Sequence, residues 1–487
     1  MDHRPTDHRA LFEKASALAS AYRDALPDRP VGARATLPEL RRALALPLPD
    51  EGVPGDQVLD ELSRGVEGGL MGMASPRYFG FVIGASSPVG VAADFLTSAW
   101  GQNSGLHAVA PAQSVVEEVA AGWLLDVLGL PANASVGLVT GCQMANFTAL
   151  AAARHEVLRR AGWNVEEDGL QGAPLLRVVV GDEVHVTILR ALRFLGLGNR
   201  AVARVPVDGQ GRMRADALAT ALSSLPAGPT IVCAQAGNVN TGAIDPLPEI
   251  AQACKARGAW LHVDGAFGLW AAASPSLRHL VRGAELADSW ATDAHKWLNV
   301  PYDSGLVICS HPGAHRAAMT TSAPYLIQSA PTALGVEDAA RAPSGRDTVD
   351  WVPEFSRRAR GFAVYAGLRA LGRNGVSDLV ERSCQHASRI ADSLGRSPHA
   401  SILNEVALNQ VLVRFTPPRG DADAFTRAVI LRVQREGVCY LAGTVWKGKA
   451  AMRISVSGEA TTSDDADRTA EAIAGAAGRE IGPFASP

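Results

Sequence analysis

Lys296 stands in the stretch Thr292-Asp293-Ala294-His295-Lys296-Trp297-Leu298-Asn299, directly after a histidine and before an apolar pair. An amine in that setting is a candidate for covalent chemistry with a carbonyl, and an aldehyde cofactor needs such a Schiff-base lysine. Upstream by 32 positions, Leu261-His262-Val263-Asp264-Gly265-Ala266 places an acid after a short apolar run, so Asp264 is expected at the carboxyl end of a buried strand. Pyridoxal phosphate (PLP) uses one carboxylate against its ring nitrogen, which keeps that nitrogen protonated and the ring an electron sink.

Two more pieces precede these in order. Thr140-Gly141-Cys142-Gln143-Met144-Ala145-Asn146 follows an apolar run and opens a helix, where free backbone N–H groups and the positive dipole end favour a phosphate. His185 follows the next apolar run, and an imidazole there can lie flat on a pyridine ring. Taken singly, each residue has a plainer reading: a solvated lysine, an ordinary strand-to-helix turn, a structural histidine, a capping acid. A metal is disfavoured at Asp264, because only His262 shares its strand face at ligand spacing, and no metal site is expected. The succession of all four along one domain carries the weight.

The elements that must position them read as α/β. Short apolar runs at 136–139, 176–180, 201–205, 230–234, 260–263, 289–292 and 305–309 alternate with helical stretches, the pattern of a mostly parallel central sheet flanked by helices. Ligands of such sheets gather at strand carboxyl ends. Residues 1–85 form an N-terminal helical segment without enough apolar surface for its own core. Its helices are expected near 11–25 and 56–73, and it must lean on something larger, such as a partner subunit. Residues 86–375 form the large domain, including a functional loop at 311–350 rich in Ala, Pro, Ser and Thr, followed by a helix at 355–372. Residues 376–487 form a small α+β domain that opens with a helix at 376–394.

The chain has 487 residues, 47% hydrophobic and 20% charged, with a formal net charge of −3, which argues for a globular protein and against a nucleic-acid or membrane surface. No apolar run is long enough to span a bilayer and the N-terminus lacks signal-peptide order. Six scattered cysteines without CxxC pairs suit a reduced, cytoplasmic protein.

The chain resembles the PLP-dependent group II decarboxylases, among them the aromatic-L-amino-acid, histidine and glutamate decarboxylases. The resemblance rests on Ser75-Pro76-Arg77-Tyr78-Phe79, Ala85-Ser86-Ser87-Pro88, the Thr140 turn, His185, Ala236-Gly237-Asn238-Val239-Asn240-Thr241-Gly242-Ala243, His262-Val263-Asp264, His295-Lys296-Trp297 and Tyr302-Asp303. It implies PLP fold type I and a homodimer with a shared active site. It also implies decarboxylation of an L-amino acid to the amine, with aminotransfer or oxidative aldehyde formation as the rival outcomes and a non-catalytic binding module as the remoter one. Carried over by position, Lys296 holds the cofactor, Asp264 pairs with its ring nitrogen, His185 stacks on the ring and Ala266 packs by the other face. Cys142, Gln143 and His295 serve the phosphate. Val239 stands where the family commonly has a threonine, leaving Asn238 or Asn240 to substitute. Tyr325 matches the loop tyrosine that protonates the substrate carbon; relatives with phenylalanine there tend toward aldehydes. Phe79, Phe81, Val82, Ile83 and Trp100 suggest an apolar mouth suited to an aromatic or bulky apolar substrate, with His107 as a polar lining residue contributed across the dimer. Arg453 is a candidate anchor for a substrate carboxylate, or equally one half of a structural ion pair.

Overall fold

The computed structural model describes residues 7–200, 202–320 and 345–485. Tyr325 therefore lies outside the described residues. The chain opens with α1 (His8–Ala25), α2 (Leu37–Leu44) and α3 (Gly55–Val66), then a two-residue strand β1 (Tyr78–Phe79), and then α4 (Pro88–Trp100) and α5 (Pro111–Val127). Seven strands follow: β2 (Ser135–Val139), β3 (Arg177–Gly181), β4 (Val202–Val205), β5 (Thr230–Gln235), β6 (Trp260–Asp264), β7 (Ser289–Asp293) and β8 (Gly305–Cys309). They form one sheet in the order β2-β8-β7-β6-β5-β3-β4. β3 to β7 run parallel, and β8 is antiparallel to both its neighbours.

Every residue of β2, β5, β6, β7 and β8 is buried, as expected for strands covered by helices on both faces. Val179, Val232, Leu138 and Ile308 are each fully enclosed, and burial of each contributes roughly 1.5–3 kcal/mol relative to exposure. The helix α6 (Cys142–Arg160) packs against β7, β8 and β6 and brings its N-terminus to the carboxyl edge of the sheet.

The second sheet runs β1-β11-β12-β10-β9, from β9 (Ala400–Ile402), β10 (Gln410–Phe415), β11 (Tyr440–Trp446) and β12 (Lys449–Ser455). Its member β1 comes from the N-terminal segment: Tyr78 and Phe79 pair in parallel with Tyr440 and Leu441. Buried Arg77 donates to Asp465 at 2.8 Å, to the Val438 carbonyl and to the Pro27 carbonyl, so one guanidinium joins both ends of the chain. The N-terminal segment thus leans first on the C-terminal sheet of its own chain.

Two sequence expectations need correction, and a third stands. The helix expected to reach residue 73 stops at Val66, where Gly68 and Gly69 follow; each would bring a Cβ within 3 Å of Ala35 or Leu40. The stretch from 311 is not all loop: Pro312–Met319 is a helix with proline at its first position, and Thr348–Trp351 is a 3-10 turn. The two helices expected at 355–372 and 376–394 are both present within Gly361–Gly395, the first starting at Gly361, and they are separated by a kink at Gly372, whose φ of 61° lies in the left-handed region.

Candidate active site

The sheet register decides which side chains meet. Val139, Gly305 and Asp293 stand side by side across β2, β8 and β7, and Asp264 lies beside Ala291. A Cβ on Gly305 would lie 2.4 Å from the backbone of Gly141, so only glycine lets the start of α6 come down on this edge. Trp297 and Leu298 are fully buried and hold the turn that carries Lys296. Gly84 crosses it from the N-terminal side, where its N–H donates to the His295 carbonyl and a Cβ would collide with the Lys296 carbonyl.

Lys296 Nζ lies 3.0 Å from Asp293 Oδ2. Burial alone would lower the pKa of its ammonium, but Asp293, with Cys142 and Asp264 nearby, outweighs burial and the net shift is upward. Asp293 Oδ1 accepts the Cys142 N–H at 2.6 Å and lies 3.4 Å from His295 Nε2. The His295 ring accepts the Ser304 N–H through Nδ1 and stacks on Tyr302, with centroids 4.3 Å apart.

Asp264 ends a buried chain whose direction is forced. Its Oδ2 accepts from Asn146 Nδ2 at 3.2 Å, and its Oδ1 accepts from the Ala266 N–H at 3.2 Å and the Cys142 thiol at 3.5 Å. With Nδ2 turned to a carboxylate, Asn146 presents Oδ1 to His262 Nε2 at 2.9 Å, so that nitrogen carries the proton. His262 Nδ1 then accepts from Ser289 Oγ at 3.0 Å, and Ser289 Oγ accepts the Trp260 indole N–H at 2.9 Å. An indole only donates and a carboxylate only accepts, so both ends impose the same order. Burial depresses the His262 pKa to about 4, which keeps the ring neutral and this tautomer in place.

His185 caps the helix Val186–Phe194, and its Nδ1 pairs with Thr187 Oγ1 at 2.8 Å. Burial pulls its pKa down against the pull of Asp264, so its ring is neutral within reach of that carboxylate. The Gln143 side chain donates to the Thr187 carbonyl, and Asn146 Nδ2 also reaches Thr187 Oγ1, so Thr187 joins α6 to the His185 turn.

The structure thus brings Lys296, Asp264, His185, Cys142, Gln143, Ala266 and His295 to one edge. Among the described residues no hydrogen bond joins Asn238 to them. Asn238 Oδ1 accepts the N–H groups of Asn240 and Thr241 and closes a turn, while its Nδ2 lies against Gly211. His107 pairs with Asp347 at 2.7 Å and anchors the chain as it returns from residues 321–344. Phe81 is 55% exposed with a left-handed φ of 56°. Arg453 donates to the Val239 carbonyl, has no ion-pair partner among the described residues, and acts on the charge of His185. Sequence reasoning missed Asp293, Asn146 and Thr187. Asp293, three positions before Lys296, was the one with a local signal.

The pyridoxal-dependent decarboxylase conserved domain matches residues 38–416. The chain belongs to the pyridoxal-dependent decarboxylase family. Aromatic-L-amino-acid decarboxylase of Bacillus atrophaeus is 26% identical over 464 residues, covering 94% of this chain and 92% of that protein. L-2,4-diaminobutyrate decarboxylase of Rhizobium meliloti is 29% identical over 441 residues, covering 89% and 84%. The Oryza sativa TDC solved with PLP and tryptamine superposes with a TM-score of 0.88 at 24% identity, covering 99% of each chain.

As a pyridoxal-dependent decarboxylase, the protein uses PLP to remove the carboxylate of an amino acid. The donor set fits that cofactor: an amine held beside a carboxylate, a second carboxylate supplied with three donors, a neutral imidazole and the N-terminus of α6 at the same edge. Among the described residues no helix is long and apolar enough to cross a membrane, and no group of three His, Cys, Asp or Glu side chains is arranged to hold a metal.

Proposed function

We propose that this decarboxylase converts an aromatic or bulky apolar L-amino acid to its amine and carbon dioxide, as a homodimer in the cytoplasm. The observation that carries the substrate class is aromatic surface beside the lysine. Tyr302 is 49% exposed while stacked on His295, and Phe81 lies on the segment that crosses Lys296 at Gly84. Such rings bury well against an aromatic or branched side chain and offer an acidic or basic one no partner.

Bound PLP supplies a sink for the electrons left when the bond from Cα to the carboxylate breaks. Lys296 would hold the cofactor through its amine, Asp264 would keep the ring nitrogen protonated, and His185 and Ala266 would pack against the ring. The first turn of α6, with Cys142 and Gln143, and His295 take the phosphate. Arg453, whose buried Nε has no partner among the described residues, orients the substrate carboxylate. Tyr325 delivers a proton to Cα, the step that yields an amine rather than an aldehyde.

The second copy is inferred from an apolar face on and between α4 and α5. Phe95, Leu96, Trp100, Val109 and Val115 are each 43–62% exposed, apolar side chains that a partner subunit would cover. Sedimentation showing a monomer at micromolar concentration would overturn the dimer. Six free cysteines suit the reducing cytoplasm.

Carbon dioxide release across a panel of amino acids tests the reading. Aromatic or bulky apolar substrates should turn over fastest, with amine as product. Tyr325→Phe should lose most of that amine and divert substrate to aldehyde. Preference for glutamate, keto acid without carbon dioxide, or unchanged amine from Tyr325→Phe would each refute the corresponding part.

A further inference from the structure

Asp293 has no role in the scheme above, yet its carboxylate meets Cys142, His295 and Lys296. Its Oδ1 accepts the Cys142 N–H that opens α6, at 2.6 Å, and its Oδ2 lies 3.0 Å from Lys296 Nζ. The side chain is 3% exposed, so water cannot replace either partner without a rearrangement. An amide at a helix N-terminus is a natural place for a phosphate oxygen. In this chain a carboxylate already occupies it, and the same carboxylate holds the essential amine as an unreactive ammonium.

We propose that Asp293 is an internal place-holder for the cofactor phosphate and a positioning residue for Lys296, so that loading requires it to give up both contacts. The proposal rests on the reading of Lys296 as the cofactor lysine and of the α6 terminus as the phosphate seat. One proton transfer breaks the ion pair and leaves the Cys142 N–H only a neutral oxygen, the weaker of its possible acceptors. Moving a proton from Lys296 Nζ to Asp293 Oδ2, across the 3.0 Å contact, leaves a neutral amine with its lone pair free and a neutral carboxylic acid. No charge enters or leaves the site. The amine becomes nucleophilic as the rival anion disappears, and the new O–H becomes a donor where an acceptor stood. Cofactor binding is therefore slower and weaker than the helix terminus alone would give. The cofactor-free site is in turn protected from stray anions and aldehydes.

Asp293→Asn tests this, because the amide oxygen keeps the Cys142 bond and only the charge is lost. Cofactor-free protein is titrated with sulfate, a dianion that does not titrate in this range, and Lys296 is reacted with pyridoxal, which lacks the phosphate. Asp293→Asn should bind sulfate at least about tenfold more tightly than the natural chain, and its lysine should react at least about tenfold faster at pH 7, the effect of removing one close like charge and one ion-pair partner. Asp293→Ser carries the same expectation should the amide variant not fold. Unchanged or weaker sulfate affinity in a folded variant overturns the place-holder. The two readings fail separately: if the natural chain gives no borohydride-reducible chromophore that depends on Lys296, the lysine assignment falls first. If it does, and sulfate affinity does not rise, only the role of Asp293 falls.

Discussion

Lys296→Ala is expected to purify colourless with PLP and to lose turnover by roughly 10³-fold or more. The lysine sits on a turn fixed from three sides, by buried Trp297 and Leu298, by the Gly84 crossing and by the Asp293 pair, and among the described residues no other lysine pairs with Asp293. Deleting it removes the covalent hold on the cofactor and leaves the Asp293 carboxylate buried without its cation. Some loss of stability should therefore accompany the loss of colour. Lys296→Arg separates the two effects: it keeps a cation beside Asp293 and restores stability, but offers no amine that can lose its proton. Absorbance after borohydride reduction, thermal unfolding and turnover are the measurements. A variant that stays yellow and active would remove Lys296 from the chemistry.

Asp264→Asn should keep the colour and lose turnover by about 10²–10³-fold, the scale of removing one preorganised electrostatic contact in a buried site. The substitution changes one atom, but the chain behind it cannot absorb the change. Ala266 and Cys142 donate to one oxygen and Asn146 to the other, so an amide NH2 in either orientation faces a donor. If it faces Asn146, that amide must turn over, His262 must move its proton to Nδ1, and the Ser289 hydroxyl loses its acceptor. The ring nitrogen meanwhile loses the negative charge that keeps it protonated. Nitrogen chemical shifts of labelled cofactor report that proton directly, and a merely structural role would leave them unmoved. Unchanged turnover, or a protonated nitrogen in the variant, would count against Asp264.

The large sheet was legible because its strands are buried on both faces and read as unbroken apolar runs; β5 and β6 differ from the sequence expectation by one residue at the carboxyl end. The residues at strand ends were legible for the same reason, since an acid or a lysine stands out after such a run. What escaped was whatever depends on two distant segments. The pairing of β1 with β11 has no local trace in Tyr78-Phe79. Asn146 is an ordinary helix residue until the register sets it between His262 and Asp264. The alternation of His262 and Asp264 did place both on one face, but it could not reveal that the histidine acts through an asparagine from α6. The match of Asn238 by position did not show that its carbonyl oxygen closes a turn while its buried Nδ2 has no partner among the described residues.

The strand β1 carries a further implication, for synthesis. Arg77 meets the carbonyl of Val438, 361 positions later. At a ribosome adding about 5–20 residues per second, the N-terminal arm waits roughly 20–70 s for its partner to emerge. Through that interval the segment that must finally cross Lys296 has no edge to join, and the large sheet can assemble without it. A nascent chain halted before the last fifth of its length would therefore hold a folded sheet and an incomplete site.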